Sequence, residues 1–230
     1  MGLKALSADV KNVFLSEYSS WPQVVECYTR CSLPFERNKL PAIYGVAQLS
    51  ELHGRQSSAN CRIIAGLRED NLLSDLIWRV LGKPGKRSHE YRAPSWPWTA
   101  INAKVKFRIR YRTGKDLTLI TIGTLKQPLG GPGRWFIRLE GTLNFATLEY
   151  KGSESHWSCS VEFAGTTRYA YRVYLDAEIS EPSDPIYYLP IKWSKGSGLI
   201  LHRTGGENGE FRRLGLIGLS SSDKLSSSQL

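Results

Sequence analysis

The chain has 230 residues, of which 41% are hydrophobic and 23% charged, and its formal net charge at pH 7 is +10. This composition is ordinary for a globular protein and excludes a largely disordered one. Residues 1–10 lack the apolar core of a signal peptide, and no stretch reaches the ~18 apolar residues that a membrane span needs. We therefore expect a cytoplasmic protein without a membrane span, whose positive charge permits a polyanionic partner without demanding one.

The first third of the chain carries helical patterns. Ser20 can cap a helix with Pro22 in its first turn, where the missing N–H costs no hydrogen bond. The apolar face of this helix is predicted to consist of Trp21, Val24, Val25 and Tyr28. Asn38 can cap a second helix, whose apolar positions are Leu40, Ile43, Tyr44 and Ala47.

The clearest helical pattern in the chain starts near Asp70 and ends at Gly82. Its buried face is predicted from five apolar residues at helical spacing: Leu72, Leu73, Leu76, Ile77 and Val80. The following sequence, Lys83 to Arg87, is K-P-G-K-R, which indicates a turn or a linker.

From about Tyr91 onward, short runs of β-branched and aromatic residues predict strands. Two of these runs alternate apolar and polar residues with the period of two that is typical of strands with one buried face. The apolar positions of the first run are Val105, Phe107, Ile109 and Tyr111. Those of the second run are Tyr169, Tyr171, Val173 and Leu175.

Near the end of the chain, residues 204–209 separate two strand candidates, 199–203 and 210–217, and Asn208-Gly209 can supply the positive φ values of a tight hairpin. Together the patterns predict an α+β protein, in which N-terminal helices pack as one unit with a largely antiparallel β-rich part. The predicted divisions are an N-terminal extension (1–20), a helical part (21–82), a β-rich part (83–219) and a disordered serine-rich tail (220–230).

The charged side of the first alternating run is the strongest candidate for a binding site. Phe107 and Tyr111 point away from it, which argues against base stacking on this strand. The alternative is a solvated outer strand, on which cations discourage pairing with another strand. Five cations would share this face and could contact phosphates: Lys104, Lys106, Arg108, Arg110 and Arg112.

No familiar catalytic or cofactor motif occurs in the sequence, so we predict no catalytic residue, no metal site and no cofactor. Cys27 and Cys31 would share a helix face but lack the second ligand pair of a structural zinc site, and we interpret them as buried apolar residues. Trp96 and Trp98 favour core anchoring over ligand binding, because indoles bury a large area. An active site formed by residues that lie far apart in the chain remains an alternative.

A series of short motifs extends from about Trp21 to about Leu219. In this order and spacing they resemble the region that follows the heterokaryon-incompatibility (HET) domain in a large family of fungal proteins. The N-terminal motifs are Trp21, Tyr28 with Arg30 and Cys31-Ser32-Leu33, Lys39-Leu40-Pro41-Ala42, Ala65-Gly66-Leu67, Leu76-Ile77-Trp78, and Tyr91 to Trp98. The closing motifs are Tyr188-Leu189-Pro190-Ile191, Gly198-Leu199-Ile200-Leu201, and Gly209 to Gly215.

The chain departs from the family pattern in three respects. Asn38 replaces an aspartate but can still cap a helix, and Pro97 replaces a serine, which should place it at a strand edge or end. The signature segments of the HET domain itself do not occur, and residues 1–20 are too few to contain them.

The resemblance implies a part in non-self recognition, in which fusion of incompatible fungal cells triggers cell death. The signalling of the family is attributed to the HET domain, so no functional residue is carried over. We therefore expect a non-enzymatic accessory or regulatory module that acts by contacting a protein, such as a HET domain in cis or in trans. The alternative is a nucleic-acid-binding module that uses the basic strand 104–112.

Overall fold

A computed structural model of the chain describes residues 20–31, 35–52, 62–88, 90–107, 117–125, 134–151, 156–179, 185–192, 196–205 and 209–219. Within these residues the fold is mostly β, with a closed six-stranded barrel and short helices. The expected α+β class is therefore wrong. Two segments account for the difference. The helix predicted between Asp70 and Gly82 contains a strand, and strands of the predicted β-rich part close into a barrel.

The N-terminal part of the described chain contains the helices. The apolar face predicted for the first helix is confirmed, since all four of its residues are buried. Ser20 precedes this helix in an extended conformation, but its hydroxyl makes no capping hydrogen bond. The helices are α1 (Trp21–Tyr28), α2 (Lys39–Leu52) and α3 (Leu72–Asp75), with 3₁₀ turns at Glu36–Asn38, Glu69–Asn71 and Trp98–Ala100.

The first eight strands form four two-stranded antiparallel sheets, in which β1 pairs with β2, β3 with β6, β4 with β5, and β7 with β8. The predicted linker thus contains a strand, β4. The strands are β1 (Ile63–Ile64), β2 (Leu67–Arg68), β3 (Trp78–Val80), β4 (Lys86–Arg87), β5 (Ile101–Asn102), β6 (Val105–Phe107), β7 (Thr118–Leu125) and β8 (Arg134–Glu140).

The helix predicted over residues 70–82 is wrong beyond Asp75. Helix α3 ends there, and Trp78 and Val80 lie in β3, opposite Phe107 and Val105 of β6. All four side chains are buried. The segment satisfies a helical spacing and, over its last residues, a period of two as well. The strand forms because pairing with β6 buries both apolar pairs, so that tertiary contacts override the local pattern.

Six antiparallel strands close the barrel in the order β10-β11-β14-β13-β12-β9. The predicted hairpin near the end of the chain is confirmed as β13 and β14, and Gly205 and Gly209 in its connection have positive φ values of 78° and 66°. The barrel strands are β9 (Asn144–Lys151), β10 (His156–Phe163), β11 (Thr166–Leu175), β12 (Ile186–Lys192), β13 (Ser197–Arg203) and β14 (Phe211–Leu219).

Two hydrophobic cores lie on opposite sides of one barrel wall. Ile200 of β13 belongs to a core of barrel residues, whereas its neighbours Leu199 and Leu201 pack with the N-terminal helices and small sheets. The wall formed by β12, β13 and β14 is therefore buried on both faces, which explains the nearly continuous apolar sequence of β13 and β14. The outer side of β11 instead carries exposed aromatic residues.

In the described part of the chain, no helix combines the length and apolar character required to cross a bilayer. The predicted N-terminal extension, apart from Ser20, and the serine-rich tail lie outside the described residues.

Candidate nucleic-acid interface

Strand β6 contains the described part of the predicted basic strand. Val105 and Phe107 are buried, and Lys106 is exposed between them, as is Lys104 directly before the strand. Glu26 on α1 accepts a hydrogen bond from the backbone N of Phe107 at 2.8 Å, which fixes the strand against the helix. The predicted alternation is confirmed here. Three further predicted cations lie outside the described residues: Arg108, Arg110 and Arg112.

Strand β3 adds Arg79, a cation that lies in the segment predicted as a helix and is not among the predicted site residues. Arg79 lies directly opposite Lys106 in the antiparallel pair, so both side chains project from the same side of the two-stranded sheet. The guanidinium of Arg79 stacks over the ring of Tyr174 on barrel strand β11, 4.5 Å from its centroid. This contact joins the small sheet to the barrel surface.

The alternation of inward and outward side chains shifts by one residue in the middle of β11. The predicted apolar face is therefore wrong for the first half of the strand. A register shift against β14 falls between Ala170 and Arg172. Val173 and Leu175 pack with the barrel core as predicted, but Tyr169 and Tyr171 are 66% and 52% exposed. An extra residue at such a bulge moves the preceding side chains to the opposite face of the sheet.

The exposed residues of β11 connect to the cations of β3 and β6. Arg172 donates a hydrogen bond from Nη1 to the hydroxyl of Tyr174 at 3.3 Å, and Arg79 covers the ring of that tyrosine. Strands β3, β6 and β11 contain no aspartate or glutamate. We call this surface the basic–tyrosine face and define it by Arg79, Lys104, Lys106, Tyr169, Tyr171, Arg172 and Tyr174.

A second group of ionisable side chains surrounds the buried Lys39, which is 5% exposed. Its ammonium donates a hydrogen bond to the carbonyl of Ile101 and lies 5.0 Å from the Trp98 ring. Burial, together with the nearby charge of Arg92, lowers the pKa of Lys39 to about 7. Tyr28 donates a hydrogen bond to the Lys39 carbonyl at 2.8 Å, and burial raises the pKa of that tyrosine to about 12.

Arg92 connects the Lys39 group to three chain segments. It donates hydrogen bonds to the carbonyls of Thr99 and Glu36 at 2.7 and 3.1 Å, and to Oδ1 of Asn102 at 2.9 Å. Perturbed pKa values in one place are a sign of function when the groups face a ligand. Here the cations bond to the chain itself and Lys39 is almost inaccessible, so we interpret the group as structural.

Lys39 is expected to make stability depend on pH. Its pKa is about 7 in the folded chain but near the ordinary 10.5 after unfolding, so between these values the unfolded chain binds more protons. Stability should therefore rise with pH through this window, and below about pH 7 the full penalty of the buried charge remains. Between pH 7 and about 9.5, the urea midpoint should rise more in the unmodified chain than in Lys39→Met. Parallel midpoints would contradict the assignment.

A buried ion pair joins the barrel to the N-terminal part. Arg213 on β14 is 1% exposed and Asp176, directly after β11, is 0% exposed, with Nε to Oδ2 at 2.8 Å. The same guanidinium donates to the carbonyls of Leu76 and Trp78 at 2.6 and 2.7 Å and lies 3.7 Å from the centroid of the Trp78 ring. The hydroxyl of Ser95 accepts a hydrogen bond from the Arg213 backbone at 3.0 Å. Residues from three of the motifs thus meet at one arginine.

Other motif residues meet at a turn between β1 and β2. Trp21 and Trp98 both donate from Nε1 to the carbonyl of Gly66, at 3.1 and 2.9 Å. Ala65 and Gly66 have φ values of 49° and 93°, as a two-residue hairpin turn requires. A side chain at Gly66 would collide with Thr99 at 2.6 Å. The motif residues therefore make interior contacts. No residue type among them predicts such a contact on its own.

The remaining predicted residues have mixed outcomes. Trp96 and Trp98 are buried, as predicted for core anchors. Cys31 is exposed and Cys27 half-buried, so the prediction of a buried apolar role is wrong for Cys31; its thiol donates to the Cys27 carbonyl at the end of α1. Pro97 lies in no strand and precedes a 3₁₀ turn. Within the described ranges, no three metal-ligating side chains come together.

No family model matches the chain, and neither a curated protein nor a solved structure matches it significantly. Only the residues of the chain and their contacts therefore bear on its function.

Proposed function

We propose that this chain is a non-enzymatic nucleic-acid-binding module and that the basic–tyrosine face is its binding surface. The observation that carries the proposal is a group of four cations that lie on, or directly before, strands β3, β6 and β11. Arg79, Lys106 and Arg172 are connected by cross-strand pairing and by contacts through Tyr174. Lys104 precedes β6 and is exposed like Lys106.

The chemistry of the cations supports a phosphate backbone as the ligand. Phosphates spaced along a strand are neutralised by lysine and arginine side chains, with release of bound counterions. Lysine is depleted in the centre of protein–protein interfaces, whereas arginine occurs in both kinds of interface. The two exposed lysines beside two arginines, on strands that lack acidic residues, therefore favour a polyanion over a protein surface.

The test is a variant in which Arg79, Lys104, Lys106 and Arg172 are all replaced by glutamine. Binding of a fluorescent oligo(dT) of about 15 nucleotides is followed by anisotropy between about 50 and about 200 mM salt. If each cation neutralises one phosphate, the slope of log K against log salt should become shallower by about 3. Affinity at low salt should fall by about a hundredfold or more.

A matched control removes the same number of charges from other elements. It replaces the exposed cations Arg37, Arg138, Lys151 and Arg203 by glutamine. The control should retain most of the affinity and slope, because diffuse attraction to a positively charged protein is the only part that it loses. Equal losses in both variants, or failure of the unmodified chain to bind, would contradict the proposed function.

The second candidate function is the accessory module of a HET-type protein, acting by contact with a HET domain. It is supported by the convergence of the resembling motifs: Trp21, Gly66 and Trp98 meet at one turn, and Ser95 and Trp78 meet at Arg213. Motif residues that build one interior are what a shared fold would require. On this account the partner contacts a surface that the motifs do not define.

This candidate is tested by mixing the chain with an isolated HET domain and measuring the mass of the mixture by size-exclusion chromatography with light scattering. A one-to-one complex that persists at about 200 mM salt would support the protein partner, because a polyanion contact weakens there. No complex at micromolar concentration would count against it.

A further inference from the structure

Two exposed tyrosines of β11 lie beside a cation of the basic–tyrosine face. Tyr169 and Tyr171 are among the exposed large hydrophobic side chains of the described residues. They lie on the same strand as Arg172 and Tyr174, and the register shift beside Ala170 places them on the outer side of β11 together with Tyr174, whose ring is covered by the guanidinium of Arg79. Contacts with phosphates alone require cations and no exposed aromatic rings.

Three contacts orient the rings of this surface. The ring of Tyr171 lies over Gly218 on the neighbouring strand β14, where a side-chain carbon would approach it to 2.7 Å. The guanidinium of Arg79 lies over the ring of Tyr174, 4.5 Å from its centroid, and Arg172 donates a hydrogen bond to the hydroxyl of the same tyrosine. Because Tyr171 is nevertheless half exposed, it is positioned and still accessible to a ligand.

We infer that the basic–tyrosine face selects single-stranded over double-stranded nucleic acid; this inference rests on the proposed function. Unpaired bases present their flat faces, which stack on aromatic side chains beside cations that follow the backbone. In a duplex the bases are stacked on each other, so that a flat protein surface reaches mainly phosphates. The tyrosines should therefore add affinity for single strands and almost none for duplexes.

The aromatic residues of the basic strand itself point inward, which argues against stacking on that strand. The structure removes that objection for the described part, since Phe107 is indeed buried but β11 supplies rings on the side of the cations. The cations of β3 and β6 and the rings of β11 lie far apart in the chain, and the contact between Arg79 and Tyr174 in the folded protein is what shows that they share a surface.

The experiment compares two double variants, Tyr169→Leu with Tyr171→Leu and Tyr169→Phe with Tyr171→Phe. Leucine retains apolar bulk over Gly218 without an aromatic face, whereas phenylalanine keeps the ring. Binding of oligo(dT) and of a duplex of equal length is measured by anisotropy. The leucine variant should lose about a hundredfold in affinity for oligo(dT) and less than about twofold for the duplex, and the phenylalanine variant should bind both almost normally.

Tyr150→Leu serves as the control, because this exposed tyrosine lies on β9, packs against Trp157 and is not one of the residues that define the basic–tyrosine face. Equal affinity of the unmodified chain for both nucleic acids would overturn the inference, as would equal losses for both in the leucine variant. Binding that responds to the four glutamine substitutions would still support the proposed function. Binding of neither nucleic acid would overturn both.

Discussion

Replacing Arg213 by alanine is expected to lower the free energy of unfolding by about 3–5 kcal/mol, a large share of the total for a typical domain. Asp176 would keep a fully buried carboxylate without the guanidinium that now contacts both of its oxygens. The carbonyls of Leu76 and Trp78 would lose their charged donor as well. Urea denaturation, followed by tryptophan fluorescence, measures the loss.

Two comparison variants test whether the loss of stability comes from the buried ion pair. Arg212→Ala removes an exposed arginine from the neighbouring position and should change stability by no more than about 0.5 kcal/mol. The double variant Arg213→Met with Asp176→Leu should be more stable than Arg213→Ala, because no uncompensated buried charge remains. If Arg213→Ala unfolded at the same urea concentration as Arg212→Ala, the ion pair would not hold the barrel to the N-terminal part.

Trp98→Ala is the second substitution with a large expected effect, a loss of about 3–5 kcal/mol. The indole is fully buried, meets Tyr28 edge-on at 5.7 Å, and donates to the Gly66 carbonyl. Its removal leaves a cavity beneath the β1–β2 turn and takes an aromatic face from the ammonium of Lys39. Trp98→Phe should lose less stability, because the phenyl ring keeps most of the volume. The loss that remains includes the hydrogen bond to the Gly66 carbonyl.

Trp157→Ala provides the matched control for the tryptophan substitution. Trp157 is half-buried at the start of β10 and packs against Tyr150, so less apolar area is lost. Its free energy of unfolding, measured in the same urea titration, should fall by less than that of Trp98→Ala. A larger loss for Trp157→Ala would contradict the assignment of Trp98 as a principal packing residue of the N-terminal part.

The fold could be predicted from the sequence where a single local pattern dominates. The α1 face, the β13–β14 hairpin and the alternation around Lys106 are of this kind, since each depends on neighbours close in the chain. The segment 76–80 fits two periods at once, and only its pairing with Val105 and Phe107 decides between them. Barrel closure depends on the β9–β12 and β11–β14 pairings, which join residues far apart in the chain.

The candidate site was predicted in part, for the same reason. Lys104 and Lys106 follow from alternation, but Arg79 was hidden by the helix predicted there. The exposed tyrosines were assigned to the buried face of β11, because a strand's period of two holds only until a bulge shifts it. The sequence T-T-R-Y-A-Y-R-V-Y-L offers no residue that marks such a shift.

The most direct measurement for the basic–tyrosine face is ultraviolet cross-linking of the full chain to oligo(dT), followed by mass spectrometry of the modified peptides. The account predicts that modified residues fall on β11, at Tyr169, Tyr171 or Tyr174, and that excess salt abolishes the cross-links. Cross-links confined to segments outside β3, β6, β11 and the predicted basic strand 104–112 would contradict it.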